Sequence, residues 1–241
     1  MTYCVGLLLN EGMVLLSDTR TNAGLDNIAT YRKSFVFEAP GDRVIVILAA
    51  GSLSVTQTTI ARLREAIEDD EATPETSIML APTVLKVAEL IGNTLSSVRQ
   101  DIDMKMTASK VSTAASMIVA GQRAGGAMRL FLIYPEGNFI EATEDTPFLQ
   151  IGEHKYGKPI LDRVVKPTTS IAEAQKAVLL SMDSTLRSNL SVGMPLDMVV
   201  IEKDACRVSL LRRIEAGDPQ FKAMSEAWSN SLRESFVRIQ I

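Results

Sequence analysis

The sequence contains a single histidine, His154, and only two cysteines, Cys4 and Cys206. A serine- or cysteine-type catalytic triad would have this one histidine as its base, and a metal site built on histidines is not expected. His154 lies in a glycine-bounded loop among charged neighbours, which indicates a surface or helix-start position. The cysteines lie in strand-like runs without metal-ligand spacing, so they indicate free buried thiols in a reducing compartment. We therefore expect a cytoplasmic protein.

Long apolar runs, basic clusters and flexible linkers are also lacking. No apolar run is long enough to cross a membrane, and the basic region and cleavage site of a signal peptide are missing. A net charge of −4 without a basic cluster argues against nucleic acid as the main partner. No linker rich in Gly, Ser or Pro divides the 241 residues, and a hydrophobic content of 46% supports a sizeable core. These features predict a single domain over residues 1–241.

The first 33 residues carry the chemical signal. Residues 3–9 and 13–16 are apolar and predict two buried strands, with turn residues between them. A tight hairpin folded at Glu11 would bring Asp18 back beside Thr2. If Met1 is removed, which a small second residue permits, the mature chain begins with Thr2 and carries a hydroxyl beside a free α-amine.

This placement predicts an N-terminal nucleophile. A threonine hydroxyl is a poor nucleophile until a base takes its proton, and a terminal amine can be that base. The pKa of an α-amine is about 7.7–8.0 in model peptides, so a modest decrease leaves much of it neutral at cellular pH. The Lys33 ammonium would supply that decrease, and Asp18 would keep Lys33 charged and oriented. Separately, such an Asp usually lies in a turn and such a Lys is usually solvated; only the combination indicates catalysis.

The same residues resemble a known family. Its pattern is formed here by Thr2, Asp18-Thr19-Arg20, Asn22-Ala23-Gly24, Lys33 and Ala50-Gly51. It is similar to that of proteasome β-subunits and their bacterial relative HslV. The opening MTYCVGLLL and the later IGEHKYGKPIL most resemble the bacterial Anbu family. The resemblance spans nearly the whole chain and implies a threonine-type peptidase.

The rest of the chain alternates paired strands with pairs of helices. Strands are predicted near residues 35–48, 114–142, 197–201 and 206–211, and their apolar runs need cover on both faces. Two stacked antiparallel sheets with helices outside meet this need. This α/β (α+β) four-layer α-β-β-α sandwich of the Ntn-hydrolase type is the fold that the resemblance implies. An amphipathic tail helix at about 218–237 either covers its own sheet or docks a neighbouring subunit.

The resemblance assigns further site residues. Gly51 matches the glycine whose N–H holds the oxyanion, although without the resemblance a packing glycine would be the preferred interpretation. Ser191 matches a serine that lies beside the terminal amine. Two positions depart from the family pattern, because Glu153 replaces a usual serine and Ser188 replaces an aspartate. Ser188 and Ser191 are therefore assigned only a supporting role.

The resemblance also implies hydrolysis of peptide or amide bonds without any metal or organic cofactor. It implies a homo-oligomer, which for Anbu-like proteins is an open ring or shallow helical turn, and it specifies no unfoldase partner. Two alternatives stay open. One is an Ntn-type amidase that acts on a small-molecule amide, and the other is a catalytically weak assembly scaffold.

Overall fold

The computed structural model describes residues 2–22, 28–106 and 112–240. The expected loss of Met1 and the Ala23-Gly24 part of the N-terminal pattern lie outside these residues. In chain order, the strands are β1 (Tyr3–Leu9), β2 (Gly12–Asp18), β3 (Arg20–Asn22), β4 (Ile28–Thr30), β5 (Ser34–Ala39), β6 (Arg43–Gly51), β7 (Ala115–Arg123), β8 (Arg129–Ile133), β9 (Phe139–Glu141), β10 (Phe148–Gly152), β11 (Leu196–Glu202) and β12 (Leu210–Ile214). The helices are α1 (Leu53–Glu68), α2 (Val84–Lys105), α3 (Lys158–Val164), α4 (Ile171–Ser188) and α5 (Pro219–Arg238).

Two five-stranded antiparallel sheets form the centre of the fold. The first sheet has the order β10-β1-β2-β11-β12, and the second sheet has the order β5-β6-β7-β8-β9. Strands β3 and β4 form a separate small hairpin. Among the described strands, β5 and β12 are therefore each an edge of a sheet.

Strand periodicity distributes the apolar residues among three layers of core. On β2, Val14 and Leu16 pack toward α3 and α4, whereas Leu15 faces the second sheet. On β6, Ile47 packs toward α1 and α2, whereas Val46 faces the first sheet. Both sheets are thus covered on both faces, which confirms the predicted four-layer α-β-β-α sandwich.

Helix ends follow local capping chemistry. Ser170 and Glu173 form a reciprocal capping box at the start of α4. Thr83 caps α2, and Asp218 caps α5 just before Pro219. No helix in the described ranges is long and apolar enough to cross a membrane.

The last strand differs from its sequence prediction. The sequence predicts this strand over residues 206–211, but β12 begins at Leu210. Asp204 and Cys206 have positive φ angles of 63° and 45°, which belong to a turn and cannot continue a strand. Because positive φ is uncommon for residues other than glycine, apolar patterning alone could not locate the turn.

Within the described residues, the first part of helix α5 packs against the rest of the domain, and its last part does not. Phe221 packs on the core beneath α4, and the Arg187 guanidinium donates to the Ser225 hydroxyl at 2.7 Å. Further along, Leu232, Phe236 and Val237 are exposed. The helix therefore covers its own domain near its start and leaves apolar side chains uncovered near its end.

Candidate active site

The β1–β2 hairpin brings Asp18 to the start of the chain. Its two-residue connection pairs Leu9 with Gly12, and the register continues to Cys4 opposite Ser17. At the open end, the Tyr3 backbone N–H donates to Asp18 Oδ1 at 3.1 Å. Asp18 is thus bonded to the peptide group that joins Thr2 to Tyr3.

Lys33 meets Asp18 at the same oxygen. The Lys33 ammonium donates to Asp18 Oδ1 at 2.7 Å and to the Arg20 carbonyl at 2.6 Å. Lys33 is only 6% exposed and Asp18 is fully buried. Lys33 immediately precedes β5, the edge strand of the second sheet. This position directs its ammonium toward the end of β2 in the first sheet.

Asp18 has a third donor, which comes from the loop after α4. The Gly193 backbone N–H donates to Asp18 Oδ2 at 3.2 Å. Burial raises the pKa of the Asp18 carboxyl, while the Lys33 ammonium and the N–H groups of Tyr3 and Gly193 lower it. Among the described residues, the groups that hydrogen-bond to this carboxyl are three donors, which match the needs of an ionised carboxylate. The ion pair therefore fixes the Lys33 ammonium one carboxylate away from the Thr2–Tyr3 peptide group.

Thr2 is held through its backbone. Its carbonyl accepts a hydrogen bond of 2.7 Å from the Glu153 N–H, and the residue is 7% exposed. Tyr3, the next residue, anchors β1 to α4 because its hydroxyl lies 2.6 Å from the Ser181 hydroxyl and accepts from the Gln150 amide at 2.5 Å. Burial raises the pKa of Tyr3 to about 12, so this anchor stays protonated. These contacts hold the Thr2–Tyr3 segment against the residue after β10 and against α4.

Gly152 permits the close approach of β10 to Thr2. Its φ is +79°, and a Cβ atom there would collide with the Thr2 carbonyl oxygen. We expect Gly152→Ala to destabilise the fold by clearly more than the roughly 1–2 kcal/mol of left-handed strain alone. Gly41→Ala is the matched control, because Gly41 has φ +86° but a methyl group there would have no atom within 4 Å.

Urea unfolding of the two variants measures this difference. Equal losses in the free energy of unfolding would show that β10 adjusts and that Gly152 does not fix the position of Thr2.

Gly51 ends β6 on the side of Lys33. The Ala49 N–H donates to the Lys33 carbonyl at 2.9 Å, and N–H groups along a strand alternate between its two sides. The Gly51 N–H therefore points to the same side as that of Ala49, beyond the first residue of β5. Its φ of +107° and the nearby Ala114 backbone exclude a side chain there. This geometry leaves a backbone donor directed toward the region of Lys33.

Other predicted residues lie further from these contacts. Ser188 ends α4 and is exposed, whereas Ser191 is half-buried and its N–H donates to the Asn189 side chain at 2.9 Å. The exposed His154 lies in a short 3₁₀ turn, with Nδ1 3.1 Å from the Gly152 carbonyl. Glu153 contributes its backbone N–H to Thr2, a contact that is independent of its side-chain type.

Cys4 is a further nucleophilic side chain near this end of the first sheet. It is fully buried between the two sheets, and its Sγ donates to the Ala49 carbonyl at 3.7 Å. Burial and the neighbouring Asp18 raise the pKa of the Cys4 thiol far above its ordinary value. The unreactive thiol form therefore predominates at neutral pH.

Sequence reasoning missed the residues that act through their backbone. These are Gly193, which donates to Asp18, and Gly152, which allows the approach to Thr2. Arg20 belongs to the family pattern, but the sequence does not predict that its carbonyl accepts from Lys33. A backbone contact leaves no side-chain signature, so only the glycines could have been noticed. Within the described residues, no cluster of three or more His, Cys, Asp or Glu side chains could hold a metal ion.

Comparisons with known proteins agree with this arrangement. A family model described as "Proteasome subunit" matches residues 2–201. No curated protein matches the chain. An Anbu (Gly-1) mutant from Hyphomicrobium sp. strain MC1 is 47% identical, with a TM-score of 0.92 over 100% of this chain and 99% of that one.

Two further solved structures show the same similarity. Anbu from Yersinia bercovieri, described as an ancestral beta-subunit, is 41% identical with a TM-score of 0.91, covering 99% of this chain and 98% of that one. A helical assembly of the Anbu complex from Pseudomonas aeruginosa is 42% identical with a TM-score of 0.92, covering 99% and 97%. The chain therefore belongs to the proteasome subunit family and, within it, to the Anbu proteins.

Proposed function

We propose that the protein is a threonine-type peptidase that cleaves peptide bonds with Thr2 after removal of Met1. The observation that carries the proposal is the convergence on Asp18 Oδ1 of the Lys33 ammonium at 2.7 Å and the Tyr3 N–H at 3.1 Å. This shared oxygen links the buried Lys33 ammonium to the residue after Thr2, which supports a role for Lys33 at the proposed chain terminus. The family membership supports hydrolase chemistry of the N-terminal-nucleophile class.

In the proposed reaction, the Thr2 amine takes the proton of the Thr2 hydroxyl, directly or through a water molecule. The hydroxyl oxygen attacks the substrate carbonyl, and the Gly51 N–H donates to the developing oxyanion. The protonated amine then gives its proton to the leaving amine, which departs and leaves an ester on Thr2. Water hydrolyses this ester and restores the free hydroxyl.

Lys33 and Asp18 set the electrostatics of this reaction. A buried ammonium beside the α-amine disfavours a second positive charge, which lowers the proton affinity of the amine. Asp18 holds that ammonium in place without contributing a proton. Ser188, which ends α4, and Ser191, which follows it, have a supporting role at most.

We also propose that the protein acts as a homo-oligomer in the cytoplasm. The Pseudomonas aeruginosa relative forms a helical assembly, and the exposed apolar end of α5 offers surface for subunit contacts. The two free buried thiols fit a reducing compartment. Sedimentation at micromolar concentration is expected to give species larger than a monomer, and a monomer alone would contradict this assembly.

The decisive experiment measures the intact mass of the purified protein before and after treatment with an electrophile that reacts with both hydroxyl and amine. We expect the loss of Met1 only, followed by addition of one inhibitor molecule at Thr2. Retained Met1, or cleavage further along the chain, would remove the proposed base. Labelling with activity on small amides but not on peptides would favour the amidase, and no labelling would favour the scaffold.

A further inference from the structure

A charged cleft lies between the edges of the two sheets. Strands β5 and β12 border it, and its volume is about 580 Å³. Three guanidinium groups line it, those of Arg32, Arg64 and Arg213. Arg32 comes immediately before Lys33, so the cleft adjoins the candidate active site along the chain.

The arginines are only partly neutralised. Arg213 is paired, lying 3.2 Å from Asp197 Oδ1 and 3.3 Å from a Glu215 oxygen. Within the described residues, neither Arg32 nor Arg64 has a carboxylate in ion-pairing contact. Arg64 instead lies over the Phe35 ring at 5.8 Å. The cleft therefore presents two guanidinium groups that make no ion-pairing contact in the described part of the chain, and Asp197 is the nearby carboxylate that Arg32 influences from a longer distance.

Two buried polar atoms in the cleft lack hydrogen-bond partners. They are Asp197 Oδ2 and Ser34 Oγ, each without a partner in the described part of the chain. Asp197 is only 8% exposed, and a buried carboxylate oxygen without a donor is costly. Burial raises the pKa of Asp197, while Arg213 and Arg32 lower it. An occupant of this cleft would gain by supplying a hydrogen-bond donor as well as negative charge.

The edge position of β5 adds a third feature. Strand β5 pairs only with β6, so alternate backbone groups along its outer side have no partner strand in the described residues. Such an edge can accept an extended peptide as an additional strand. A peptide backbone supplies the N–H donor that Asp197 Oδ2 needs.

We propose that this cleft binds an acidic segment of an extended peptide. Glutamate or aspartate side chains would contact Arg32 and Arg64, and a peptide N–H would donate to Asp197. The role of this segment as part of a substrate rests on the proposed peptidase function, whereas its binding does not. The cleft would then favour substrates that carry acidic residues some distance from the cleaved bond.

Binding can be measured in the full-length Thr2→Ala protein, where cleavage cannot alter the probe. The probe is a fluorescein-labelled peptide of four consecutive glutamates flanked by glycines, followed by fluorescence anisotropy. A peptide with glutamine in place of glutamate is the neutral control. We expect the acidic peptide to bind at least about tenfold more tightly, because charge-assisted hydrogen bonds are stronger than neutral ones.

The variant test uses Arg32→Gln with Arg64→Gln, which should weaken binding of the acidic peptide at least about tenfold. The matched control is Arg62→Gln on the same helix as Arg64, because Arg62 pairs with Asp101 and does not line the cleft. This control should retain wild-type affinity.

Several results would overturn the proposal. They are no binding of the acidic peptide, equal binding of the glutamine peptide, equal losses in the cleft and control variants, and no loss in the cleft variant. Dissociation of the oligomer by the cleft variant, seen by sedimentation, would instead assign the cleft to a subunit contact. Binding is measured without hydrolysis, so an absence of peptide binding can be distinguished from an absence of peptidase activity.

Discussion

Thr2→Ala is expected to abolish hydrolysis of peptide and amide substrates, with a loss of at least about a thousandfold in rate. The change removes the only hydroxyl that the proposed reaction uses. It should leave the fold intact, because the Thr2 contact with Glu153 is made by the backbone carbonyl. Thr2→Ser is the matched control, because it keeps both a hydroxyl and an α-amine and should keep measurable activity.

Rates with a substrate panel, together with circular dichroism and sedimentation, measure this outcome. Undiminished turnover by folded Thr2→Ala would show that another residue is the nucleophile. An inactive wild type across the whole panel, despite correct removal of Met1, would support the scaffold alternative.

Lys33→Met is expected to lose nearly all reaction of Thr2 with an electrophilic inhibitor. Without the ammonium, the α-amine stays protonated more readily and the hydroxyl loses its base. The buried Asp18 carboxylate also loses its charged partner, so we expect a loss of about 3–5 kcal/mol in the free energy of unfolding. Inhibitor labelling by mass spectrometry and urea unfolding measure these two effects separately.

A second variant separates catalysis from stability. Combining Asp18→Asn with Lys33→Met removes both charges, so it should recover much of the lost stability without recovering labelling. Lys33→Arg keeps the charge, but its planar fork replaces a compact ammonium held between oxygens at 2.7 and 2.6 Å, so we expect weak rescue. If the folded double variant were labelled like the wild type, Lys33 would have only a structural role.

The fold was largely predictable because its strands are so apolar. Runs such as residues 3–9 and 44–48 need cover on both faces, and that requirement already implies stacked sheets with helices outside. The resemblance supplied the layer order. Short elements were less accessible, because β3, β4 and β10 have three to five residues each and too little periodicity to be recognised.

The side-chain contacts of the candidate site could be predicted from the sequence, but its backbone contacts could not. The Asp18–Lys33 contact follows from the hairpin and the family pattern, and the structure brings the two residues together at 2.7 Å. The Gly193 donor comes from 175 residues away, and nothing in its type marks it as a partner of Asp18. Long-range backbone contacts depend on the packing of whole elements, which local sequence does not encode.

The length of the β1–β2 hairpin determines which residue lies beside the start of the chain. Seven residues in β1, a two-residue connection and seven residues in β2 place Asp18 opposite Tyr3. Inserting one residue into either strand would move every later side chain to the opposite face and direct the Asp18 carboxylate away from the chain terminus. Substitutions of similar size should therefore accumulate in this hairpin over evolution, while insertions and deletions between Thr2 and Asp18 should be eliminated. The length of this segment is then under stricter selection than its composition.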